Sequence, residues 1–177
     1  MAVLNKKVEV ALNDQLQKEL QSAYAYLGMS AHCESESLPG MAAWLRRQFD
    51  EELLHAFKFY DFIIDRDGKA ELRALDAAPT TYSSPLDVFK SALEHERGVT
   101  AAINQLYELV AKERDFAAQA LLDWFATEQV EEEKTVGQIV DDLKRIGNDG
   151  NGLFMLDKDI GTRIPAASSS GSASGSA

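Results

Sequence analysis

Apolar residues recur at alternating steps of three and four along four long segments of the chain. This spacing places side chains on one face of an α-helix. Ser84 followed by Pro85 is typical of a helix start, Asp115 can cap the next helix, and Gly147 can end it. The pattern predicts four helices, with approximate bounds 4–35, 39–67, 84–114 and 115–146.

The connections between these segments predict their arrangement. Residues 36–38 form so short a link that the first and second helices must be antiparallel neighbours. Residues 69–83 lack helical periodicity and form a long connection. At about 3.3 Å per residue that connection reaches roughly 45 to 50 Å, the length of a helix of about 30 residues. Residues 147–152 have the composition of a turn, and Leu153–Ile160 offers about two further helical turns. We therefore expect an all-α fold: a four-helix bundle with a long crossover between the second and third helices and a short C-terminal fifth helix.

On each of the four predicted helices the apolar residues form a stripe along one face, which we call a seam. Each seam is interrupted by acidic or amide residues. Glu52 and His55 lie three residues apart in the second seam, so they share one helix face, which is a spacing used by metal ligands. The other interruptions are Glu19 in the first seam, Glu96 in the third, and Gln129 with Glu132 in the fourth. The seams therefore direct four glutamates and one histidine toward a common interior.

The energetics of burial make this arrangement chemically informative. An ionised carboxylate costs several kcal/mol to bury, so roughly four of them would cancel a typical folding free energy of about 5 to 15 kcal/mol. The seams contain no lysine or arginine that would neutralise the carboxylates. Shared protons or bound cations remain as the balancing charge, and oxygen ligands with one imidazole suit iron or manganese. Two divalent ions fit the charge best.

Composition narrows the class of protein. The 177 residues suit one domain, and the formal net charge of −11 disfavours nucleic acid and anionic membranes as partners. Cys33 is the only cysteine, which excludes an intrachain disulfide and favours a reducing compartment. No segment approaches the roughly 20 apolar residues of a membrane span, so we expect a mature soluble protein in the cytoplasm.

The end of the chain differs from the rest in composition. After Pro165 it consists of Ala, Ser and Gly, which offer little apolar surface to pack. We therefore expect a folded domain over residues 1–164 and a flexible tail over residues 165–177.

Several motifs together resemble bacterial non-haem ferritin over nearly the whole chain before the tail. They are Asn13-Asp14-Gln15, Arg46-Arg47, Glu51-Glu52, His55, His95-Glu96 and Thr127-Glu128-Gln129-Val130-Glu131-Glu132-Glu133-Lys134. Bundles with one long crossover and an internal di-metal site are the ferritin-like architecture. The resemblance implies that fold.

The resemblance also implies roles for individual residues. By similarity, one iron site consists of Glu19, Glu52 and His55 and a second of Glu96 and Glu132, with Glu52 bridging the two and Gln129 nearby. Tyr26 matches a tyrosine that bacterial ferritins use as an electron donor. A third, weaker iron site is implied at Glu51, Glu128 and Glu131.

The implied activity is iron storage with ferroxidase chemistry. Two Fe(II) ions would be oxidised by dioxygen or hydrogen peroxide, and ferric mineral would accumulate in a hollow shell of twenty-four subunits with fifth helices at fourfold axes. Leu53 follows Glu52 where bacterioferritin has a haem-binding methionine, so no haem is expected. Gln119 and Leu122 stand near positions that are acidic in eukaryotic ferritin channels, which leaves the route of iron into the shell open.

Two other classes of function remain open on the sequence. One is a di-iron or manganese–iron oxidase acting on an organic substrate, and the other is a structural bundle whose buried acids share protons without a metal.

Single residues also have simpler interpretations. Tyr26 also suits an ordinary core position, and the acids around Glu131 suit a solvated face. His32 and His95 are predicted to be surface residues, and Trp44, Trp124 and Cys33 to serve packing.

Overall fold

The computed structural model describes residues 4–163, and within them every regular element is an α-helix. The helices are α1 (Lys6–Ser35), α2 (Pro39–Asp65), α3 (Pro85–Glu113), α4 (Phe116–Ile146) and α5 (Gly150–Thr162). The expected four-helix bundle with one long crossover and a short fifth helix is confirmed. The predicted flexible tail at 165–177 lies outside the described residues.

Local capping explains where the bundle helices begin. Ser84 Oγ accepts from the backbone N–H of Asp87 at 3.1 Å, and Pro85 occupies the first position of α3. Asp115 Oδ1 accepts from the N–H of Ala118 at 3.1 Å at the start of α4. Both starts agree with the sequence prediction.

Two hairpins, α1 with α2 and α3 with α4, form the bundle, and α5 packs chiefly on α2. Their inward faces form two apolar clusters. One surrounds Trp44 and Phe89, and the other surrounds Phe59 and Phe125. The buried acidic residues of the four seams occur along the helices between these clusters. They form an acidic layer, made of Glu19, Glu52, Glu96 and Glu132, that separates the two apolar clusters.

The crossover after α2 is fastened to α1 by amide side chains. Asn13 Nδ2 donates to the carbonyl of Lys69 at 3.0 Å, and its Oδ1 accepts from the N–H of Glu71 at 2.6 Å. Two helical turns later Gln21 makes the same pair of bonds with the backbone of Asp76, at 3.2 and 2.8 Å. These bonds satisfy backbone groups of an extended, largely exposed segment and hold it against the helix.

The fifth helix begins earlier than the sequence pattern predicted. It starts at Gly150 rather than Leu153, so part of the predicted turn at 147–152 is helical. Asp149 is the cause, because its Oδ1 accepts from the N–H of Asn151 at 3.1 Å and caps the helix. The glycine-rich composition of residues 147–152 suggested a turn, but the Asp149 cap starts a helix within this stretch.

Reciprocal capping locks α5 onto α2. Asp157 accepts from the N–H groups of Gly40 at 3.1 Å and Met41 at 2.8 Å, so α5 caps the start of α2. In return, Arg47 Nη2 donates to the carbonyl of Gly161 at 3.1 Å near the end of α5. The helices are so close that a Cβ at Gly40 would lie 1.8 Å from the Asp157 carbonyl oxygen.

Cys33 is fully buried in the apolar cluster around Trp44. Burial, with a smaller effect from the charge of Asp157, raises the pKa of its thiol to about 12. No helix within residues 4–163 has both the length and the apolar character that crossing a bilayer requires.

Candidate metal centre

Glu19, Glu52 and His55 form a compact cluster of ligand atoms. One atom from each residue lies within 4.8 Å of the others, and all three side chains are buried. Glu19 comes from α1, whereas Glu52 and His55 share one face of α2, as their spacing predicted. This is the one group of three or more such side chains within residues 4–163 with a geometry suited to a metal ion.

The second half of the layer comes from α3 and α4. Glu96, Gln129 and Glu132 are all buried, and Gln129 Nε2 donates to Glu96 Oε2 at 3.2 Å. Tyr26 OH reaches across from α1 and donates to Glu96 Oε1 at 2.5 Å. Each residue predicted from a seam interruption therefore occupies the interior.

Two amide donors to which the sequence assigned no role of their own complete the layer. Gln48 Nε2 donates to Glu132 Oε2 at 3.3 Å and to Glu51 Oε2 at 3.0 Å. Gln15 Nε2 donates to Glu19 Oε1 at 2.8 Å. Gln48 was visible as an amide in an apolar seam, and Gln15 lies one turn before Glu19. The Gln15–Glu19 contact therefore follows from the helical spacing, whereas the Gln48–Glu132 contact becomes evident only in the folded chain.

The carboxyl groups resist ionisation in the metal-free protein. Burial, assisted by the charge of Glu52, raises the pKa of Glu19 well above its usual value. Burial, assisted by Glu96, likewise raises the pKa of Glu52 well above normal. Burial also raises the pKa of Glu96, and raises that of Glu132 to about 10 with the charges of Glu96 and Glu52 contributing. Their mutual influence joins the two halves of the layer into one electrostatic unit.

Several ligand atoms in the layer have no hydrogen-bond partner within the described chain. They are Glu19 Oε2, Glu52 Oε2, His55 Nε2 and Glu132 Oε1. Buried polar atoms are nearly always satisfied, so these four require an explanation. A cation would use the lone pairs and replace the protons, and a set of carboxylate oxygens with one nitrogen suits iron or manganese. The residues present therefore fit a metal.

Tyr26 is buried and bonded to the second half of the layer. Burial, followed by the charge of Glu96, raises the pKa of its hydroxyl well above the usual value. The phenol therefore stays protonated and acts as a hydrogen-bond donor. Its position beside the acidic layer agrees with the sequence interpretation, while its electron-donor role stays a prediction.

The three glutamates predicted to form a weaker site differ in exposure. Glu51 and Glu128 are buried, whereas Glu131 is exposed. Burial raises the pKa of Glu128, with the charge of His55 opposing and that of Glu131 assisting. Glu51 shares the Gln48 amide with Glu132, which places it beside the main layer. A separate ion site at these residues stays a prediction.

The two remaining histidines are less exposed than predicted. His32 is buried with its ring centroid 5.3 Å from that of Tyr82, so the prediction of a surface residue was wrong. His95 is partly buried, and its Nε2 lies 2.6 Å from Ser22 Oγ. Burial lowers the pKa of His95. His32 on α1 packs against the crossover, and His95 on α3 packs against α1. Helical periodicity within one segment does not reveal such contacts.

Comparison with known proteins agrees with this geometry. The ferritin-like domain family matches residues 9–146. The chain is 40% identical over 161 residues to bacterial non-heme ferritins of Staphylococcus aureus (strain MRSA252) and Bacteroides fragilis (strain 638R). Those matches cover 91% of this chain and 97% and 100% of the two relatives, respectively.

Solved structures show the same fold. The open-pore ferritin of the hyperthermophilic archaeon Archaeoglobus fulgidus superimposes with a TM-score of 0.90 at 41% identity, covering 92% of this chain and 100% of that one. A form of the Archaeoglobus fulgidus ferritin closed by site-directed mutagenesis gives 0.89 at 41% identity, covering 91% and 98%. The resemblance found in the sequence motifs is confirmed.

Proposed function

The chain belongs to the ferritin family, and from that premise we propose that it is an iron-storage ferroxidase. In this proposal Fe(II) is the substrate, dioxygen or hydrogen peroxide is the oxidant, and ferric mineral is the stored product. Family membership supports iron storage in general. The residues of the acidic layer support the specific chemistry.

The observation that best supports this proposal is the set of buried ligand atoms without hydrogen-bond partners in the described chain. Glu19, Glu52 and Glu132 each have one oxygen without a donor, and His55 has one such nitrogen. Within the described chain the only basic group that forms an ion-pair contact with them is His55 itself, 3.6 Å from Glu52. Two divalent ions would balance the four ionised carboxylates that surround them.

The positions of the side chains suggest how two ions would be shared. Glu19 and His55 flank Glu52 on one side, in the compact cluster. Glu96 comes from α3 in the other hairpin, and its charge contributes to the raised pKa of Glu52. We therefore assign Glu52 as the bridging ligand, with Glu96 and Glu132 completing the second position.

The proposed reaction moves electrons from Fe(II) to the oxidant and releases protons. Two Fe(II) ions each give one electron, which reduces dioxygen to hydrogen peroxide or hydrogen peroxide to water, and hydrolysis of the ferric product releases protons. Carboxylates stabilise the more highly charged ferric state. The carboxyl protons held in the metal-free protein must be released as iron binds.

Full reduction of dioxygen to water takes four electrons, two more than the two Fe(II) ions of the centre supply. We propose that Tyr26 gives one of them and that a further Fe(II) ion gives the other. The hydroxyl proton of Tyr26 already points at Glu96 Oε1, so a phenol that loses an electron has an acceptor for its proton at 2.5 Å. Gln129, which also donates to Glu96, would hold that carboxylate in place.

Storage requires more than the single chain. We propose a weaker third iron site at Glu51, Glu128 and Glu131, through which product leaves, and a closed shell of twenty-four copies in the cytoplasm. Two of those three carboxyl groups are buried beside the main layer, and Glu131 is exposed. That gradient from interior to surface supports an exit path.

Anaerobic titration with Fe(II), followed by dioxygen, tests the proposal. We expect about two tightly bound ions per chain and oxidation faster than in buffer alone. Fewer than two bound ions, or oxidation at the rate of buffer, would contradict it. Turnover of an organic substrate without ferric mineral would instead favour the oxidase alternative.

A further inference from the structure

His55 provides the single nitrogen ligand of the centre, yet no hydrogen bond within the described chain fixes its ring. Nε2 has no partner, and Nδ1 lies 3.6 Å from Glu52 Oε2, beyond hydrogen-bond distance. Metal-binding histidines ordinarily donate their second ring nitrogen to a carboxylate or carbonyl, and this bond sets the ring orientation. Another contact must set it here.

Two aromatic rings of α4 meet the imidazole edge to face. The centroid of Trp124 lies 5.4 Å from that of His55 at an interplanar angle of 71°, and Phe125 lies at 5.8 Å and 78°. Trp124 and Phe125 are themselves 4.8 Å apart at 85°. Such separations are in the favourable range of about 4.5 to 7 Å for aromatic pairs. The two rings therefore restrict rotation of the imidazole.

Residues of α2 hold both rings in turn. Lys58 Nζ lies 4.2 Å from the Trp124 ring centroid, a cation–π contact. Phe59 stacks on Phe125 with centroids 4.3 Å apart and an angle of 21°. The imidazole of His55 thus lies against a pair of rings anchored by the same helix that carries it.

We infer that Trp124 is a positioning residue for His55. Its indole, held by Lys58, keeps the imidazole in an orientation that lets it bind an ion together with Glu19 and Glu52. The inference rests on the proposed function, because it requires an ion at this cluster. Trp124 is preferred over Phe125 as the residue to test, because Phe125 is fully buried and supports the apolar cluster.

Zn²⁺ binding to the full-length metal-free protein, measured by calorimetry, tests the inference without redox chemistry. We expect Trp124→Leu to weaken the first bound Zn²⁺ by about 10-fold, and Trp124→Phe, which keeps an aromatic edge, by less than about 3-fold. Trp44→Leu is the control, because Trp44 is fully buried beside Phe89 in the other apolar cluster. It should keep the wild-type affinity.

A surface substitution tests the anchor and does not depend on the core variants folding. Lys58→Met removes the charge over the indole and should weaken Zn²⁺ binding by about 2-fold to 5-fold. Lys90→Met is the matched control, since Lys90 is an exposed helix lysine whose ion pair with Asp87 lies on α3. Unchanged affinity in both Lys58→Met and Trp124→Leu would overturn the inference.

A double-mutant cycle separates positioning from general loosening. On a His55→Ala background, Trp124→Leu should cause no further loss of affinity, because its effect passes through the imidazole. The visible spectrum of bound Co²⁺ should change in Trp124→Leu and not in Trp44→Leu. An equal loss of affinity on both backgrounds would contradict the inference. Failure of the wild-type protein to bind Zn²⁺ or Fe²⁺ at this cluster would instead contradict the proposed function.

Discussion

The hydroxyl of Tyr26 on α1 donates a 2.5 Å hydrogen bond to Glu96 Oε1 on α3, which links the two hairpins inside the bundle. Tyr26→Phe removes this donor hydroxyl without changing the ring. We expect the metal-free protein to lose about 1 to 3 kcal/mol of unfolding free energy, because a buried acceptor loses its donor. Denaturant unfolding measures this loss.

Tyr107→Phe is the matched control for that variant. Tyr107 also bonds a carboxylate, Asp123 Oδ1 at 2.7 Å, but at the surface. Its loss should cost much less than the loss of the Tyr26 bond, because water replaces the missing bond at the surface. Equal costs for the two tyrosines would show that burial does not strengthen the Tyr26 contact.

The stability of the metal-free protein should depend on pH in a direction set by the acidic layer. A carboxyl group whose pKa rises on folding keeps its proton after the unfolded chain has lost it. Its contribution is therefore complete below the unfolded pKa and is lost as pH rises through the folded pKa. For Glu132 that window runs from 4.5 to about 10, and the raised pKa values of Glu19 and Glu52 act in the same direction. We expect unfolding free energy to fall between about pH 5 and pH 9, measured by urea denaturation.

Glu132→Gln should separate stability from metal binding. An amide resembles the neutral carboxyl that Glu132 holds at pH 7, so metal-free stability should stay within about 1 kcal/mol of wild type. Its decline with pH should be shallower, because one titrating group is gone. Anaerobic calorimetry should show loss of the second Fe(II) equivalent. Retention of both equivalents would remove Glu132 from the ligand set.

Glu52→Gln removes the proposed bridging ligand. Oxidation should slow by about 10-fold to 100-fold, because both ions lose a shared carboxylate. The metal-free variant should be at least as stable as wild type, because an amide resembles the protonated carboxyl in shape and cannot ionise inside the bundle. Stopped-flow absorbance after mixing Fe(II)-loaded protein with dioxygen measures the rate. Asp50→Asn, an exposed change on the same helix, is the control and should leave the oxidation rate unaltered. A metal-free Glu52→Gln protein that is less stable than wild type would contradict the electrostatic account.

Two glycine substitutions should have opposite effects. Gly40→Ala would place a Cβ 1.8 Å from the Asp157 carbonyl oxygen, so α5 must move and the capping of α2 is lost. We expect a loss of about 2 kcal/mol or more and faster proteolysis within α5. At Gly137, in the interior of α4, nothing lies within 4 Å of a Cβ, and Gly137→Ala should stabilise by about 0.5 to 1 kcal/mol. Intact α5 protection in Gly40→Ala would contradict the close contact.

Much of the fold was predictable because helical periodicity reports which face is buried. The seam through Glu52 and His55 was predicted to face inward, and each of these side chains is about 1% exposed. The same reasoning placed Glu19, Glu96 and Glu132 in a shared interior. Local signals sufficed there, since each helix carries its own apolar face and its own interruption.

Most of the parts that were not predicted depend on contacts between distant segments. Gln48 serves the acidic layer through Glu132 on α4, and the burial of His32 depends on Tyr82 in the crossover. The start of α5 was missed because Asp149 overrides the turn tendency of the glycines that follow it. Glu132 and Tyr82 lie on other segments than their partners Gln48 and His32, whereas the Asp149 cap is a local signal that the composition of the turn obscured.

The buried position of Cys33 has a practical consequence for handling the protein. A thiol with a pKa of about 12 and no exposure carries almost no thiolate at neutral pH, so maleimide reagents should not modify it in the folded state. A single cysteine introduced on the surface would then take the whole label. Fluorophores or surface tethers can be attached at one chosen position of the chain without first replacing Cys33.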